Sequence, residues 1–179
     1  MIYRCKYGLY LGRFQPLHVG HQIIINRMLR ECERGIVAIG SAQEEGTERN
    51  PLSYEFRKLL VEETFRNYGD RLVIIPIYDR EQYSDDSSWG DYLFKHVREQ
   101  SGILPNVVYE GDETVNNHWY DNFNIEMIKV PRDILKISGT ELRNAIIEER
   151  NDFAINRMPL AICKYYDEIR KEIQNAKIN

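Results

Sequence analysis

The chain has 179 residues, of which 42% are hydrophobic and 29% are charged, and its formal net charge is −4. This length suits one ordinary domain, and this composition is typical of a globular protein with a sizeable core. The negative net charge argues against a general nucleic-acid binder, because such proteins present a basic surface. The sequence has no run of about 18 apolar residues, so we expect no membrane span.

The cysteines Cys5, Cys32 and Cys163 lie far apart and form no CxxC pair. An odd, sparse set is more typical of a reducing compartment than of a disulfide framework. We therefore expect three reduced thiols, each a small core side chain rather than a nucleophile. The apolar stretch before Arg13 is too short for a signal peptide, so the expected location is the cytoplasm.

Short apolar runs alternate with helical patterns along most of the chain. The runs that predict strands lie at residues 7–11, 35–40, 71–77, 106–111 and 125–130. Alternating strands and helices are typical of a parallel sheet with helices on both faces. We therefore predict an α/β fold with a doubly wound parallel five-stranded sheet, and helices alone after residue 136.

The helical patterns have recognisable apolar faces and starting points. The first helix is predicted to bury Ile25, Met28, Leu29 and Cys32. The second starts after a plausible N-cap, Ser53, and its predicted apolar side is Phe56, Leu59, Leu60 and Thr64. Further helices are predicted at 88–100, in a short stretch after Thr114, and at 139–150 and 159–175, where Pro159 suits a helix start.

One domain, 1–179, is expected, with an α/β core at 1–136 and a C-terminal helical part at 137–179. The segment EQYSDDSSWGD (81–91) is polar apart from one tryptophan. It is interpreted as a solvated loop, with a mobile lid as the alternative.

The decapeptide GRFQPLHVGH (12–21) lies where the first strand gives way to the first helix. A helix N-terminus attracts anions through its unpaired N–H groups and its dipole. His18 and His21 share a face if the helix begins by residue 18, and Gly20 leaves room for a phosphate oxygen. Arg13 adds a forked donor that matches phosphate. These residues predict a polyphosphate site, although each histidine taken singly is more often structural.

A second donor-rich helix start is ISGTELR (137–143). Ser138 and Glu141 have the spacing of a capping box, which by itself requires no function. Thr140 and Arg143 then lie on the first turn of the same helix, so two helix starts could bind one triphosphate from two sides. Arg49, in the loop GSAQEEGTERNP (40–51), is either a solvated charge or a third cation at this crevice.

Several catalytic motifs are absent from the sequence. It has no GxxxxGK[ST] and no GxGxxG, which argues against a P-loop NTPase and against the dinucleotide-binding motif of oxidoreductases. It also has no GxSxG and no HExxH, which argues against an α/β-hydrolase and a zinc metalloprotease. The HxxH spacing has no third ligand nearby, so a protein-bound metal is not expected. A sequence with phosphate-binding groups but no obvious nucleophile favours the direct transfer of a group from one bound substrate to another.

With HxGH after the first strand and SxTxxR downstream, the chain resembles the nucleotidyltransferase superfamily, whose Rossmann-like fold the resemblance implies. More narrowly, GRFQPLHVGH, GSAQ…RNP and SGTELR resemble nicotinamide-nucleotide adenylyltransferases of the archaeal type. The resemblance covers residues 7–160. It implies adenylyl transfer from ATP to nicotinamide mononucleotide, Mg²⁺ bound with ATP, and a homo-oligomer. A second, Nudix-type domain, present in some relatives, is not expected.

The resemblance also implies roles for individual residues. The catalytic groups would be His18, His21, Arg13 and Arg143. The ATP site would comprise Gly12, Arg13, Phe14, His18, Gly20, His21, Arg49, Ser138, Thr140 and Arg143. The nicotinamide-nucleotide site would include Ser41, Asp79 and Trp89. Trp89 would stack on the nicotinamide ring, its alternative role being simple packing.

Two other functions remain open. A related transferase that acts on phosphopantetheine, flavin mononucleotide or a phospho-alcohol would have the same ATP-binding residues. A non-catalytic nucleotide sensor could have the same fold, but it would not need every cationic donor that the sequence retains.

Overall fold

A computed structural model describes residues 2–79, 86–111, 123–131 and 137–178. The short helix predicted after Thr114 lies outside these residues. No helix in the described part of the chain is long and apolar enough to span a membrane.

The sheet has five strands, all parallel, in the spatial order β3-β2-β1-β4-β5. The strands are β1 (Cys5–Gly12), β2 (Cys32–Ile39), β3 (Leu72–Pro76), β4 (Val107–Gly111) and β5 (Glu126–Val130). The chain builds outward from β1 to β3 and then crosses to the other side of β1, which is a doubly wound topology. The predicted fold class is confirmed, and each predicted strand is present with its ends shifted by at most three residues.

Helices cover both faces of this sheet. They are α1 (Val19–Glu31), α2 (Tyr54–Thr64), α3 (Asp86–Ser101), α4 (Gly139–Ile147), α5 (Asn151–Ile155) and α6 (Tyr166–Ile178). Successive strand side chains point to opposite faces, so Leu9 packs in the same cluster as Val97 of α3, whereas Tyr10 packs with Leu29 of α1. The two clusters are the two cores of a three-layer α/β arrangement.

Two predicted helix faces differ from the structure. Helix α1 ends at Glu31, and Cys32 begins β2 instead of extending the helix. Ser53 caps α2 as predicted, with its Oγ accepting from the Phe56 N–H at 3.2 Å. The fully buried side of α2, however, is Arg57, Leu60 and Val61, so the predicted apolar side is rotated, and a buried arginine replaces an apolar residue on it.

The helix predicted at 88–100 is confirmed as α3, so the interpretation of 81–91 as a loop is wrong from residue 86 onward. Residues 81–85 lie outside the described residues. Helix α3 begins at Asp86 and so includes Trp89. The helix predicted at 139–150 is present as α4, which ends at Ile147, and α5 follows it as a separate helix that was not predicted. The helix predicted at 159–175 is divided: a 3-10 segment at Leu160–Tyr165, preceded by Pro159, leads into α6.

The cysteine prediction is wrong in one respect. Cys5 and Cys32 are buried, as expected, but they form a disulfide, whereas Cys163 is a free, half-buried thiol. The strand register places Cys5 opposite Cys32 with their Cα atoms 4.5 Å apart, a separation that a disulfide can span. Sequence spacing does not reveal the register, which is why the pair could not be found from the sequence.

Candidate active site

The first functional segment leaves the carboxyl end of β1, beside the point where the order of strands reverses. Phe14 has a φ of 54°, in the left-handed region, and the Gln15–Pro16 peptide bond is cis. The Phe14 ring lies 3.0 Å from where a Cβ on Gly12 would lie, so a larger residue at the end of the strand would require the ring to shift by a few tenths of an ångström. The chain therefore turns sharply here and enters α1 at the carboxyl edge of the sheet, where ligands bind in this fold.

His18 and His21 form a reciprocal capping box at the start of α1. His18 is the N-cap, and its Nδ1 accepts from the Gly20 N–H at 3.1 Å. The His21 Nδ1 accepts from the His18 N–H at 3.3 Å, and the rings stack with centroids 3.7 Å apart. Because both Nδ1 atoms accept hydrogen bonds, each neutral ring carries its proton on Nε2 and is a donor there.

The start of α4 lies directly against the start of α1. A Cβ on Gly20 would lie 3.0 Å from the His18 ring and 3.6 Å from Ile137, the residue before the α4 N-cap. Arg143 donates from Nη1 to the Gln15 carbonyl at 2.7 Å. The two motifs predicted to bind one triphosphate, more than 110 residues apart in the chain, therefore meet in space. We call the region where the two helix starts meet the crevice.

Within the second motif, only half of the predicted capping box is seen. The Ser138 Oγ accepts from the Glu141 N–H at 3.1 Å. Arg143 is buried, with 8% of its surface exposed, and its Nη2 donates to the Thr140 Oγ1 at 3.2 Å. Ser138 and Thr140 are themselves exposed, so the start of α4 is open to solvent beside a buried guanidinium.

Three arginines share the electrostatics of this crevice. Burial lowers the pKa of Arg13, and the charge of Arg49 lowers it further, while Asp79 opposes the shift. Burial likewise lowers the pKa of Arg143, with Arg13 and Arg49 adding to the effect. Arg49 is exposed, but its charge acts on both other guanidinium groups. Mutual repulsion among the three cations would be relieved by a bound polyanion.

Arg13 has an unsatisfied donor. Its Nη1 is buried and has no hydrogen-bond partner among the described residues. A buried guanidinium N–H without an acceptor is costly, and a phosphate oxygen is the acceptor that its fork matches best.

The residues predicted to bind the nicotinamide nucleotide follow β2 and β3 and begin α3. Ser41 is buried, with a φ of 48°. Asp79 is exposed, and its N–H donates to the Gln43 Oε1 at 3.1 Å. Trp89 is half-buried, packs against the α3-side core, and lies 5.5 Å from the Tyr92 ring. These three residues follow neighbouring strands, but no contact between them is described.

Sequence reasoning missed two bracing residues. The Gln15 side chain is buried and exchanges two 2.9 Å hydrogen bonds with the Leu52 backbone. Arg57 is fully buried and donates to four backbone carbonyl groups of the site loops. For Gln15, the only signal was its place in the decapeptide, and for Arg57 the sequence analysis found no signal.

The donors at the crevice are suited to an anion rather than a cation. Among the described residues, no three His, Cys, Asp or Glu side chains are grouped so that they could hold a metal ion. The groups that converge are imidazole and guanidinium, which bind phosphate oxygens. A divalent ion that accompanies a nucleotide is coordinated largely by its phosphates and by water, and this crevice is compatible with that arrangement.

The chain matches a family model described as cytidylyltransferase-like over residues 9–169. It is 39% identical over 169 residues to a nicotinamide-nucleotide adenylyltransferase from Methanosarcina barkeri, covering 92% of this chain and 91% of that protein. It is 29% identical over 164 residues to the protein of that name from Methanothrix thermoacetophila, covering 91% of this chain and 90% of that protein.

Two solved structures share the fold, both of a bifunctional NMN adenylyltransferase/ADP ribose pyrophosphatase from Francisella tularensis. One has a TM-score of 0.76 at 24% identity, and the other, solved with AMP and a manganese ion, has a TM-score of 0.69 at 22% identity. They cover 98% and 97% of this chain, which spans only 52% of each of those chains. On the family model and the archaeal relatives, the chain belongs to the cytidylyltransferase-like family and, within it, to the nicotinamide-nucleotide adenylyltransferases, which are nucleotidyltransferase enzymes.

Proposed function

We propose that this protein transfers the adenylyl group of ATP to nicotinamide mononucleotide, giving NAD and pyrophosphate. The observation that carries the proposal is the buried Nη1 of Arg13, which has no hydrogen-bond partner in the described part of the chain and lies at a crevice where the starts of α1 and α4 meet. A triphosphate supplies the acceptor that this guanidinium lacks, and it also neutralises the repulsion among Arg13, Arg49 and Arg143.

The chemical step needs no general base. A 5′-phosphate oxygen of the mononucleotide attacks the α-phosphorus of ATP in line, and the bond from that phosphorus to the β-phosphate bridging oxygen breaks. The obstacle is repulsion between two polyanions, which positioned cations offset. His18 and His21 donate from Nε2 toward the phosphates, and Arg143 binds them from the other side. Mg²⁺, arriving with ATP, would add charge neutralisation at the phosphates.

The remaining ATP contacts would come from the same two loops. Gly12, Phe14 and Gly20 bring the backbone close to the phosphates, and Ser138 and Thr140 offer hydroxyl groups from α4. On the acceptor side, Ser41, Asp79 and Trp89 would bind the mononucleotide. The indole is supported by its packing against the α3-side core and beside Tyr92, so its orientation is fixed before a base stacks on it.

We further propose one domain over residues 1–179, a homo-oligomer, and a cytoplasmic location. Oligomeric state is checked by sedimentation velocity, where a monomer would contradict the second of these. We expect neither nucleic acid nor membrane as a partner, in keeping with the net charge of −4.

The test is a substrate panel. The protein is incubated with ATP, Mg²⁺ and one acceptor at a time: nicotinamide mononucleotide, nicotinic acid mononucleotide, flavin mononucleotide or phosphopantetheine. We expect dinucleotide and pyrophosphate in equal amounts with a pyridine mononucleotide. Product only with flavin mononucleotide or phosphopantetheine would favour the related transferase instead. Nucleotide binding without any pyrophosphate release would favour a sensor.

A further inference from the structure

Arg57 of helix α2 is fully buried, with 0% of its surface exposed. Arg13 has a buried donor without a partner among the described residues, whereas no such donor is found on Arg57. Each of the four described hydrogen bonds of Arg57 instead goes to a backbone carbonyl oxygen, at distances of 2.8–3.2 Å. A fork of five rigid donors is suited to binding several acceptors at fixed angles, so Arg57 holds main-chain atoms rather than a ligand.

The carbonyl groups it holds belong to the loops of the candidate site. The Arg57 Nη1 donates to the carbonyls of Arg13 at 2.9 Å and of Gly40 at 2.8 Å, which joins the end of β1 to the end of β2. Nη2 donates to the Ser41 carbonyl at 3.0 Å, and Nε to the Ser53 carbonyl at 3.2 Å.

The Arg57 guanidinium therefore binds the main chain at both ends of the loop that carries Arg49. The loop leaves β2 at Gly40 and Ser41 and ends at Ser53, the N-cap of α2, and Arg57 binds carbonyl groups at each end. The backbone of Ser41, with its φ of 48°, is in a conformation that is unfavourable for a residue other than glycine. A hydrogen bond on its carbonyl helps to hold that conformation.

The position of this cation is electrostatically unfavourable in the absence of a ligand. Burial lowers the pKa of Arg57 to about 10, and the neighbouring charge of Arg13 contributes to the lowering, while Glu55 opposes it. Arg57 is therefore a fully buried cation next to the half-buried Arg13. An anion at Arg13 stabilises both charges.

We propose that Arg57 is a positioning residue of the adenylyl-transfer site. It fixes the main chain at Arg13 and Ser41 and holds the two ends of the loop that carries Arg49. The Arg13 and Arg49 side chains are thereby placed where they can bind the triphosphate. This inference rests on the proposed function. Arg57 itself does not touch the substrates and acts through Arg13 and the loop.

The first experiment compares Arg57→Lys with Arg71→Lys. Arg71 is a matched control, because it also donates to backbone carbonyls, those of Leu29, Cys32 and Glu33, but at the opposite edge of the sheet. Lysine keeps the charge and loses the fork. We expect Arg57→Lys to lower kcat about a hundredfold, as displacement of about 1 Å does, with a native circular dichroism spectrum. Arg71→Lys should lower only the denaturation midpoint.

A double-mutant cycle separates positioning from general destabilisation. If Arg57 acts through Arg13 and the Arg49 loop, adding Arg57→Lys to a variant that carries both Arg13→Ala and Arg49→Ala should lower kcat by less than about threefold more, because both positioned cations are already gone. Effects that multiply would overturn the proposal, as would full turnover in Arg57→Lys. Loss of the native spectrum in Arg57→Lys would also overturn it, because Arg57 would then be a folding residue.

A binding measurement keeps this inference distinct from the proposed function. Inorganic tripolyphosphate is titrated into the wild type and both lysine variants by calorimetry. We expect about tenfold weaker binding to Arg57→Lys and unchanged binding to Arg71→Lys. Wild-type protein that binds tripolyphosphate in this pattern but forms no dinucleotide would refute the function and keep the positioning role. Equal affinities in all three proteins would refute the positioning role alone.

Discussion

At the scale of single residues, the two histidines are best explained by their hydrogen bonds. A histidine at a helix start is commonly a cap, and His18 and His21 do cap α1 through Nδ1. The same bonds fix the tautomer, so that Nε2 is the donor on each ring. The capping role of each histidine is therefore compatible with the chemical role that we propose for it.

His21→Ala tests the chemical role. We expect kcat to fall about a hundredfold or more, which is typical of removing one preorganised donor to developing charge, while KM for nicotinamide mononucleotide stays nearly unchanged. Steady-state kinetics at saturating ATP measure this. The free energy of unfolding is measured in parallel, because the variant also loses a capping acceptor. Full turnover would show that His21 is only a cap.

Trp89→Ala tests the acceptor side. Loss of stacking on a ring should raise KM for the mononucleotide by an amount equivalent to about 1–3 kcal/mol, by analogy with base stacking on aromatic side chains. KM for ATP should be unchanged. The neighbouring Tyr92→Phe is a suitable comparison, since it keeps the 5.5 Å ring contact and removes the hydroxyl that donates to the Tyr78 carbonyl. An unchanged KM in Trp89→Ala would assign the indole to packing.

At the scale of elements, the two ends of α1 have different tasks. Its start belongs to the crevice, whereas its last residue, Glu31, anchors the helix to the sheet. The Glu31 carboxylate accepts from Arg27 Nε and from the Tyr109 hydroxyl, each at 2.9 Å. Partial burial acts to raise the pKa of Glu31, but these hydrogen bonds outweigh it and lower the pKa below its ordinary 4.5.

The pKa of Glu31 predicts a pH dependence of stability. Because the folded-state pKa is lowered, the ionised carboxylate stabilises the fold above the unfolded-state value of about 4.5, and this contribution is lost as the pH falls through the lower folded-state value. We expect wild type to exceed Glu31→Gln in free energy of unfolding at pH 7, with the difference shrinking below pH 4.5. Urea denaturation across pH measures it. A difference that grew toward acid would contradict the assignment.

At the scale of the whole molecule, the candidate active site and the Cys5–Cys32 disulfide lie at opposite ends of the parallel strands. The disulfide joins the starts of β1 and β2, with the Tyr109 hydroxyl 3.8 Å from the Cys5 sulfur and 3.5 Å from the Cys32 sulfur. The crevice lies at the carboxyl ends of the same strands. The two central strands are therefore covalently joined at the end where no site residue was predicted.

The disulfide predicts a redox dependence of stability. It closes a loop with a sequence separation of 27, for which reduction typically costs about 2–4 kcal/mol. We expect that loss in urea denaturation with reductant, an equal loss in Cys5→Ser without it, and no loss in Cys163→Ser. Titration of unfolded, non-reduced wild-type protein should find one thiol. Three thiols would restore the expectation of reduced cysteines.

Local patterns were enough for much of the fold and the two motifs. Buried parallel strands are short apolar runs, and the N-caps Ser53 and Ser138 precede their helices, so these features are visible in sequence. The start of α3 was predicted two residues late, at residue 88, because its first residues, Asp86, Ser87 and Ser88, are as polar as a loop. The Cys5–Cys32 pair and the contacts of Arg57 depend on strand register and on loops distant in sequence, which no local pattern encodes.

The most direct measurement is a crystal structure with Mg²⁺ and an ATP analogue whose α–β bridge cannot be cleaved. We predict phosphate oxygens within hydrogen-bonding distance, about 2.7–3.2 Å, of both Arg13 Nη1 and the Arg143 guanidinium, beside the His18 and His21 Nε2 atoms. A triphosphate that contacted only one of the two helix starts, or that bound at the disulfide edge of the sheet, would contradict the account.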